Sequence, residues 1–167
     1  MSTRLPTRPP KFESVHTPRF AIVASEYNPE LVQGLINNTC KELYNIEERS
    51  SIELFSAPGS FEIPVVVEMV AALRKHDVII ALGVLLQGET KHAELVAQSV
   101  AGALQQVALK HTVPVIHEVL LVGNEEEARA RCLGKELNRG LEAARAAFAM
   151  HRVRHQLRDA VPGRPAK

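Results

Sequence analysis

"DVIIALGVLLQGETKH", Asp77 to His92, decides how this chain folds. From Val78 to Leu86 every residue is apolar or glycine, with no alternation, as in a parallel strand covered on both faces. Gln87-Gly88-Glu89-Thr90 breaks the run. From residue 91 to about 110, Leu95/Val96, Ser99/Val100, Ala103/Leu104 and Val107 then recur at helical spacing and are expected to face inward. A buried parallel strand feeding directly into a helix is half of a crossover unit, because parallel strands need a long return connection.

The rest of the chain repeats that unit. Upstream, "RFAIVAS" (Arg19–Ser25) reads as a strand, and the helix after it has Asn28 as N-cap and Pro29 at its first position. "SIELFSA" (Ser51–Ala57) is a second strand, stopped by Pro58-Gly59. "SFEIPVVVEMVAALRKH" is the next helix, with Pro64 in its opening turn and Arg74, Lys75 and His76 at its negative end. Downstream, "TVPVIHEVLLV" (Thr112–Val122) is a fourth strand. Asn124 caps a short helix with three glutamates in its first turn, and a last helix runs from about Asn138 to Arg152. The expectation is a three-layer α/β fold, flavodoxin-like in outline: a four-stranded parallel sheet with helices on both faces. It comprises an extended Pro-rich arm (1–18), one folded body (19–152) and a basic, flexible tail (153–167).

Composition narrows the function classes. A chain of 167 residues suits a single core. With a net charge of +1, no global field favours nucleic acid or anionic lipid. Nothing approaches the ~18 consecutive apolar residues of a membrane span. The two cysteines, Cys40 and Cys132, lie in helical patterns and read as reduced thiols of a cytoplasmic protein. The N-terminal "MSTRLPTRPPKF" has no apolar centre and is not a secretory signal; an extended arm and an organelle-targeting segment both stay open.

In open parallel sheets ligands bind beyond the carboxyl ends of the strands. The loops at 24–28, 56–63 and 85–92 are therefore expected to converge on one concavity. Tyr27 can staple its own helix or offer a flat stacking surface. Phe61 and Glu62 can anchor and start a helix, or supply a second ring and a carboxylate. Gly88-Glu89-Thr90 precede a helix N-terminus, where free N–H groups receive anions. His92 in that first turn is an imidazole able to take and give protons near neutral pH. No second ligand stands at metal spacing from it. There is no P-loop, GxGxxG or GxSxG.

Four stretches, "IVASEYN", "SAPGSFEIP", "ALGVLLQGETKH" and "EEARARCLGKELNRG", resemble in order and spacing the motifs of the 6,7-dimethyl-8-ribityllumazine synthase family, over roughly Arg19 to Met150. The resemblance implies condensation of 5-amino-6-ribitylaminouracil with 3,4-dihydroxy-2-butanone 4-phosphate, without metal or organic cofactor. It also implies sites between subunits of a pentamer, pentamers able to close into an icosahedral 60-mer, and riboflavin synthase as a partner. By position, Tyr27 corresponds to the aromatic stacked on the pyrimidine. Ser60, Phe61 and Glu62 correspond to the segment holding pyrimidine and ribityl chain, and Val84, Leu85 and Leu86 to the strand end lining the pocket. Glu89 and Thr90 correspond to the backbone that receives phosphate and His92 to the proton donor. Arg131 corresponds to the phosphate-binding arginine and Lys135 to a lysine close to the same site. Without the resemblance, Arg129 and Arg131 could not be told apart.

The pattern breaks where His117 replaces the usual phenylalanine against the uracil, and where Ala93 replaces the aromatic after the motif histidine. These departures suggest an alternative: a flavin- or lumazine-binding, cage-forming paralogue with little turnover. A flavodoxin-type electron carrier is disfavoured, since its first phosphate loop would be rich in Ser, Thr and Gly and "SEYNPE" is not. The compact "GKELNRG" loop favours a shell, whereas prolines 6, 9, 10 and 18 hinder an arm from joining a neighbour's sheet and favour free pentamers.

Overall fold

The structure, a computed structural model, describes residues 7–9 and 17–160. Its centre is β3 (Val78–Leu86), flanked by β1 (Arg19–Ser25) and β4 (Val115–Val122), with β2 (Ser51–Ala57) at the far edge. The strand order is β2-β1-β3-β4 and every pairing is parallel. Phe20 through Ala24 of β1 face Val78 through Leu82 of β3, and Ile79 through Leu86 of β3 face Val115 through Val122 of β4. The order reverses between β1 and β3, which opens a crevice above their carboxyl ends.

Among the described residues five helices form the outer layers: α1 (Pro29–Ile46), α2 (Ile63–Ala72), α3 (His92–His111), α4 (Glu125–Cys132) and α5 (Arg139–Asp159). Alternate residues of β3 feed two separate cores, as the two-residue period of a strand requires. Ile80, Leu82 and Val84 pack with Leu35 of α1, Cys132 of α4 and Phe148 of α5. Ile79 and Ala81 pack with Val67 of α2 and Val100 and Leu104 of α3. The strand is therefore apolar throughout because it has no solvent face.

Several element ends differ from expectation. α2 stops at Ala72, so Arg74, Lys75 and His76 lie beyond it; Arg74 takes a left-handed conformation (φ 53°) that ends the helical run. β4 starts at Val115 because Thr112, also left-handed, closes α3 and Pro114 has no N–H for a ladder. Leu95 was expected to face the core but is exposed, and Ala93 is buried on that turn instead. Asn28 precedes α1 but caps nothing with its side chain. At φ 56° its amide turns away and donates to the Val84 carbonyl at 2.9 Å, joining the β1 and β3 loops.

The largest correction concerns the tail. α5 continues to Asp159, seven residues past its expected end, and the helix-breaking Pro162 lies outside the described residues. Arg154 donates to the backbone carbonyls of His76 (3.0 Å) and Asp77 (2.7 Å), tying the added turns to the start of β3. Basic residues read as solvated are thus partly structural. The arm falls mostly outside the described residues; within it, Arg8 makes a bidentate contact with the buried Glu42 of α1.

Candidate functional site

Two cavities border the carboxyl half of the sheet, one on each side of α3. The first has a volume of about 960 Å³ and collects side chains from all three predicted loops. Tyr27 enters from the β1 loop, Ser60, Phe61 and Glu62 from the β2 loop, and Leu85, Leu86 and His92 from the β3 end. Tyr27 and Phe61 are 71% and 59% exposed, so both rings stand free of the core. Two aromatic faces held out of an apolar interior offer a stacking surface to a planar group.

Ser60 gives this cavity its polar anchor. Its side chain is buried, yet its Oγ has no hydrogen-bond partner among the described residues. A buried hydroxyl left unpaired is costly, which argues for a partner supplied from outside the chain. The hydroxyl fits because β3 has a glycine beneath it: a Cβ on Gly83 would lie 2.9 Å from Ser60 Oγ. Gly59 plays the same part for the neighbouring carboxylate, since a Cβ there would lie 2.8 Å from Glu62 Oε2. His92 is the first residue of α3, exposed above the buried Ala93.

The second cavity, about 450 Å³, lies along the edge strand β4. His117 and Glu118 line it from β4, Arg131 from α4, Arg139 from α5 and Gln98 from α3. Alternation on β4 puts His117 toward α3 and Glu118 toward α4 and α5. Arg131 is oriented by Glu127 one turn earlier (2.7 Å), and Arg139 pairs with Glu142. Arg129 points elsewhere, gripping Glu30 of α1 with two 2.9 Å hydrogen bonds. The azimuth of each side chain on α4 separates the two arginines: Arg131 lines the cavity and Arg129 meets α1.

Electrostatics mark this cavity. Burial lifts the Glu118 carboxyl to about 7, with Glu142 adding to the rise and Arg139 and Arg131 opposing it. His117 is lowered by desolvation, although the residue as a whole is exposed. Burial, and then the charge of Glu118, push the Cys132 thiol up to about 11, so it is an inert core thiol.

The structure thus brings Tyr27, Ser60, Phe61, Glu62, Leu85, Leu86 and His92 to one cavity, and His117 and Arg131 to another. Val84 lines neither; it is a core residue whose carbonyl holds Asn28. Glu89 and Thr90 are exposed on the bend before α3, and Lys135 is exposed on the α4–α5 loop, outside both cavities. Glu118 and Arg139 were missed. Glu118 sat in an apolar strand pattern, where an interrupting carboxylate was itself the available signal. Arg139 looked like an ordinary residue at a helix start. No described cluster of His, Cys, Asp and Glu could hold a metal ion, and no described helix is long and apolar enough to cross a membrane.

Comparison with known proteins gives one consistent family. A family profile for 6,7-dimethyl-8-ribityllumazine synthase matches residues 17–155. A 6,7-dimethyl-8-ribityllumazine synthase from Pyrococcus furiosus is 41% identical over 128 residues, covering 75% of this chain and 78% of its own. One from Leuconostoc mesenteroides is 34% identical over 143 residues, covering 84% and 91%. One from Xanthomonas oryzae pv. oryzae is 39% identical over 135 residues, covering 80% and 88%. Matched in sequence across both cavities and the sheet between them, the chain belongs to the 6,7-dimethyl-8-ribityllumazine synthase family.

Proposed function

We propose that the chain condenses 5-amino-6-ribitylaminouracil with 3,4-dihydroxy-2-butanone 4-phosphate to 6,7-dimethyl-8-ribityllumazine, releasing inorganic phosphate and water. The observation that carries the reading is the first cavity, where two exposed rings and an unpaired buried hydroxyl share a wall with His92. The pyrimidine lies flat between Tyr27 and Phe61. Ser60 and Glu62 hydrogen-bond its polar edge and the ribityl hydroxyls. The ketone phosphate is received by the backbone around Glu89 and Thr90 and by a guanidinium, Arg131, whose fork matches two phosphate oxygens.

On a single chain these groups are separated by α3, so the complete site needs a second copy. A ring in which one subunit's β4 edge meets its neighbour's first cavity would bring His117, Arg131 and Arg139 over Tyr27 and His92. The outer faces of α2 and α3 support such packing: Val65, Met69, Leu95 and Leu109, with Leu73 just past α2, are all exposed apolar residues. A pentamer is the smallest assembly proposed.

The reaction joins an amine to a ketone as an imine, expels phosphate and closes a ring. Each step moves protons, and holding the two reactants in register supplies up to about 7–11 kcal/mol. His92, the ionisable side chain of the first cavity besides Glu62 and Tyr27, serves as acid and base and contributes on the order of 10²–10⁴-fold. The test is a turnover assay with both substrates. His92→Ala is expected to lower kcat at least 10²-fold, and Arg131→Ala to raise KM for the phosphorylated ketone without matching loss of pyrimidine binding. Product formation equally slow in the wild type and in His92→Ala would instead identify a binding protein.

A further inference from the structure

Resting on Arg131 as the phosphate ligand, we propose that Glu118 is a proton-coupled positioning residue: it takes up a proton when an anion occupies the Arg131–Arg139 cavity and gives the proton back when the anion leaves. The geometry carries this. Glu118, Arg131 and Arg139 line one cavity from three elements, β4, α4 and α5. The two guanidiniums already have carboxylate partners on their own helices, Glu127 and Glu142, which fix their positions. Glu118 lines the same cavity and feels both charges, and its strand neighbour on β3 is the apolar Leu82.

The groups facing Glu118 set its balance. From α4 come Arg131 and the buried Cys132, and from α5 come Arg139 and Glu142; His117 is next on β4 but points to the opposite face of the sheet. Burial and Glu142 favour the neutral acid, whereas the two guanidiniums favour the anion, and near pH 7 the two forms are balanced. A dianion on Arg131 and Arg139 offsets their pull on Glu118 and adds repulsion of its own. Both effects drive the carboxyl to its neutral form. Coupling of this kind is reciprocal, so protonation of Glu118 tightens anion binding by the same factor. Once the anion departs, the returning carboxylate competes for the same guanidiniums and opposes rebinding. In the proposed reaction this favours release of the phosphate product.

Sulfate is the probe, because its charge does not titrate near neutral pH as that of phosphate does. Calorimetry on the assembled protein at pH 7, in two buffers of different ionisation enthalpy, reads protons taken up per sulfate bound. The wild type is expected to take up about half a proton. Glu118→Gln is expected to abolish most of that uptake and to flatten the several-fold fall in sulfate affinity between pH 6 and 8. Glu118→Asp, which keeps a titrating group, should restore part of both. Equal uptake in wild type and Glu118→Gln, or none in the wild type, overturns the coupling. Arg131→Ala separates the two readings. If it abolishes sulfate binding while Glu118→Gln leaves uptake unchanged, only the coupling fails. If sulfate binding survives in Arg131→Ala, the phosphate assignment itself fails, and the coupling with it.

Discussion

Glu42 shows how one residue can hold an arm, a helix and a core together. It is 2% exposed within α1, and Arg145 of α5 and Arg8 of the arm both close on it. Burial alone would raise its carboxyl, but hydrogen bonds and attraction from Arg8 and Arg145 prevail and hold it at about 2. A carboxyl lowered on folding stabilises above its ordinary value and loses that contribution as pH falls from about 4.5 toward 2. Glu42→Ala removes a buried carboxylate that ties Arg8 and Arg145 to α1 and is expected to cost about 3 kcal/mol, read as lowered thermal stability at pH 7. The difference should shrink as acid protonates the wild-type carboxylate. Glu118 has the opposite sign. Its raised value means that stability falls as pH rises from about 4.5 through about 7, so Glu118→Gln should melt later than wild type at pH 8, by on the order of 1 kcal/mol in stability. Gly83 belongs to the same scale. Gly83→Ala presses a methyl on Ser60 Oγ, Ile63 Cδ1 and Val119 Cγ1, at 2.9 to 3.2 Å. The expected cost is about 1–3 kcal/mol, with a raised KM for the pyrimidine as Ser60 shifts.

Among elements, α3 and α4 do most to place functional groups. α3 stands between the two cavities, giving His92, Leu95 and Ser99 to one and Ala97, Gln98 and Ala101 to the other. α4 is only eight residues long and depends on its start: Asn124 accepts from the Glu127 N–H at 2.8 Å, and Glu127 in turn accepts from the Gly123 N–H at 2.9 Å. Glu127 also orients Arg131 (2.9 Å), so the cap and the cavity share a residue. Asn124→Ala should cost about 1 kcal/mol in a melting experiment and weaken sulfate binding as Arg131 loosens. α5 is anchored at its far end by Arg154 on the carbonyls of His76 and Asp77. Removing residues 153–167 should therefore destabilise the body, which chemical denaturation will measure; an unchanged midpoint would return this segment to the status of a flexible tail.

For the molecule as a whole, the separation of the two cavities has a direct consequence. Activity should depend on association, because His92 and Arg131 reach one substrate pair only across subunits in the proposed ring. Dilution or a charge at the exposed Leu109 (Leu109→Glu) should lower turnover and sedimentation coefficient together. Reassembling rings from mixed His92→Ala and Arg131→Ala subunits, assayed at ketone phosphate well below the raised KM of Arg131→Ala, should restore part of the activity each variant loses, since mixed rings contain some intact sites. A fully active monomer, or no recovery on mixing, would exclude a shared site.

By itself the sequence determined the sheet, its parallel sense and the three loops at its carboxyl edge. Those features follow from local patterns: an unbroken apolar strand, helical spacing, and Pro, Gly and Asn at the breaks. Local pattern also exposed Tyr27, Phe61 and His92, each standing outside the apolar periodicity it adjoins. Tertiary structure decided the rest. Arg131 and Arg129 differ by two positions, about 200° around a helix, and only the packing of α4 selects which faces β4 and which meets α1. Arg154 reads as solvated until the start of β3 is laid beside it. Glu118 and Arg139 are 21 residues apart and became one site only when α5 crossed β4. A chain's periodicity encodes which face of an element turns inward, but not which residues of two distant elements will meet there.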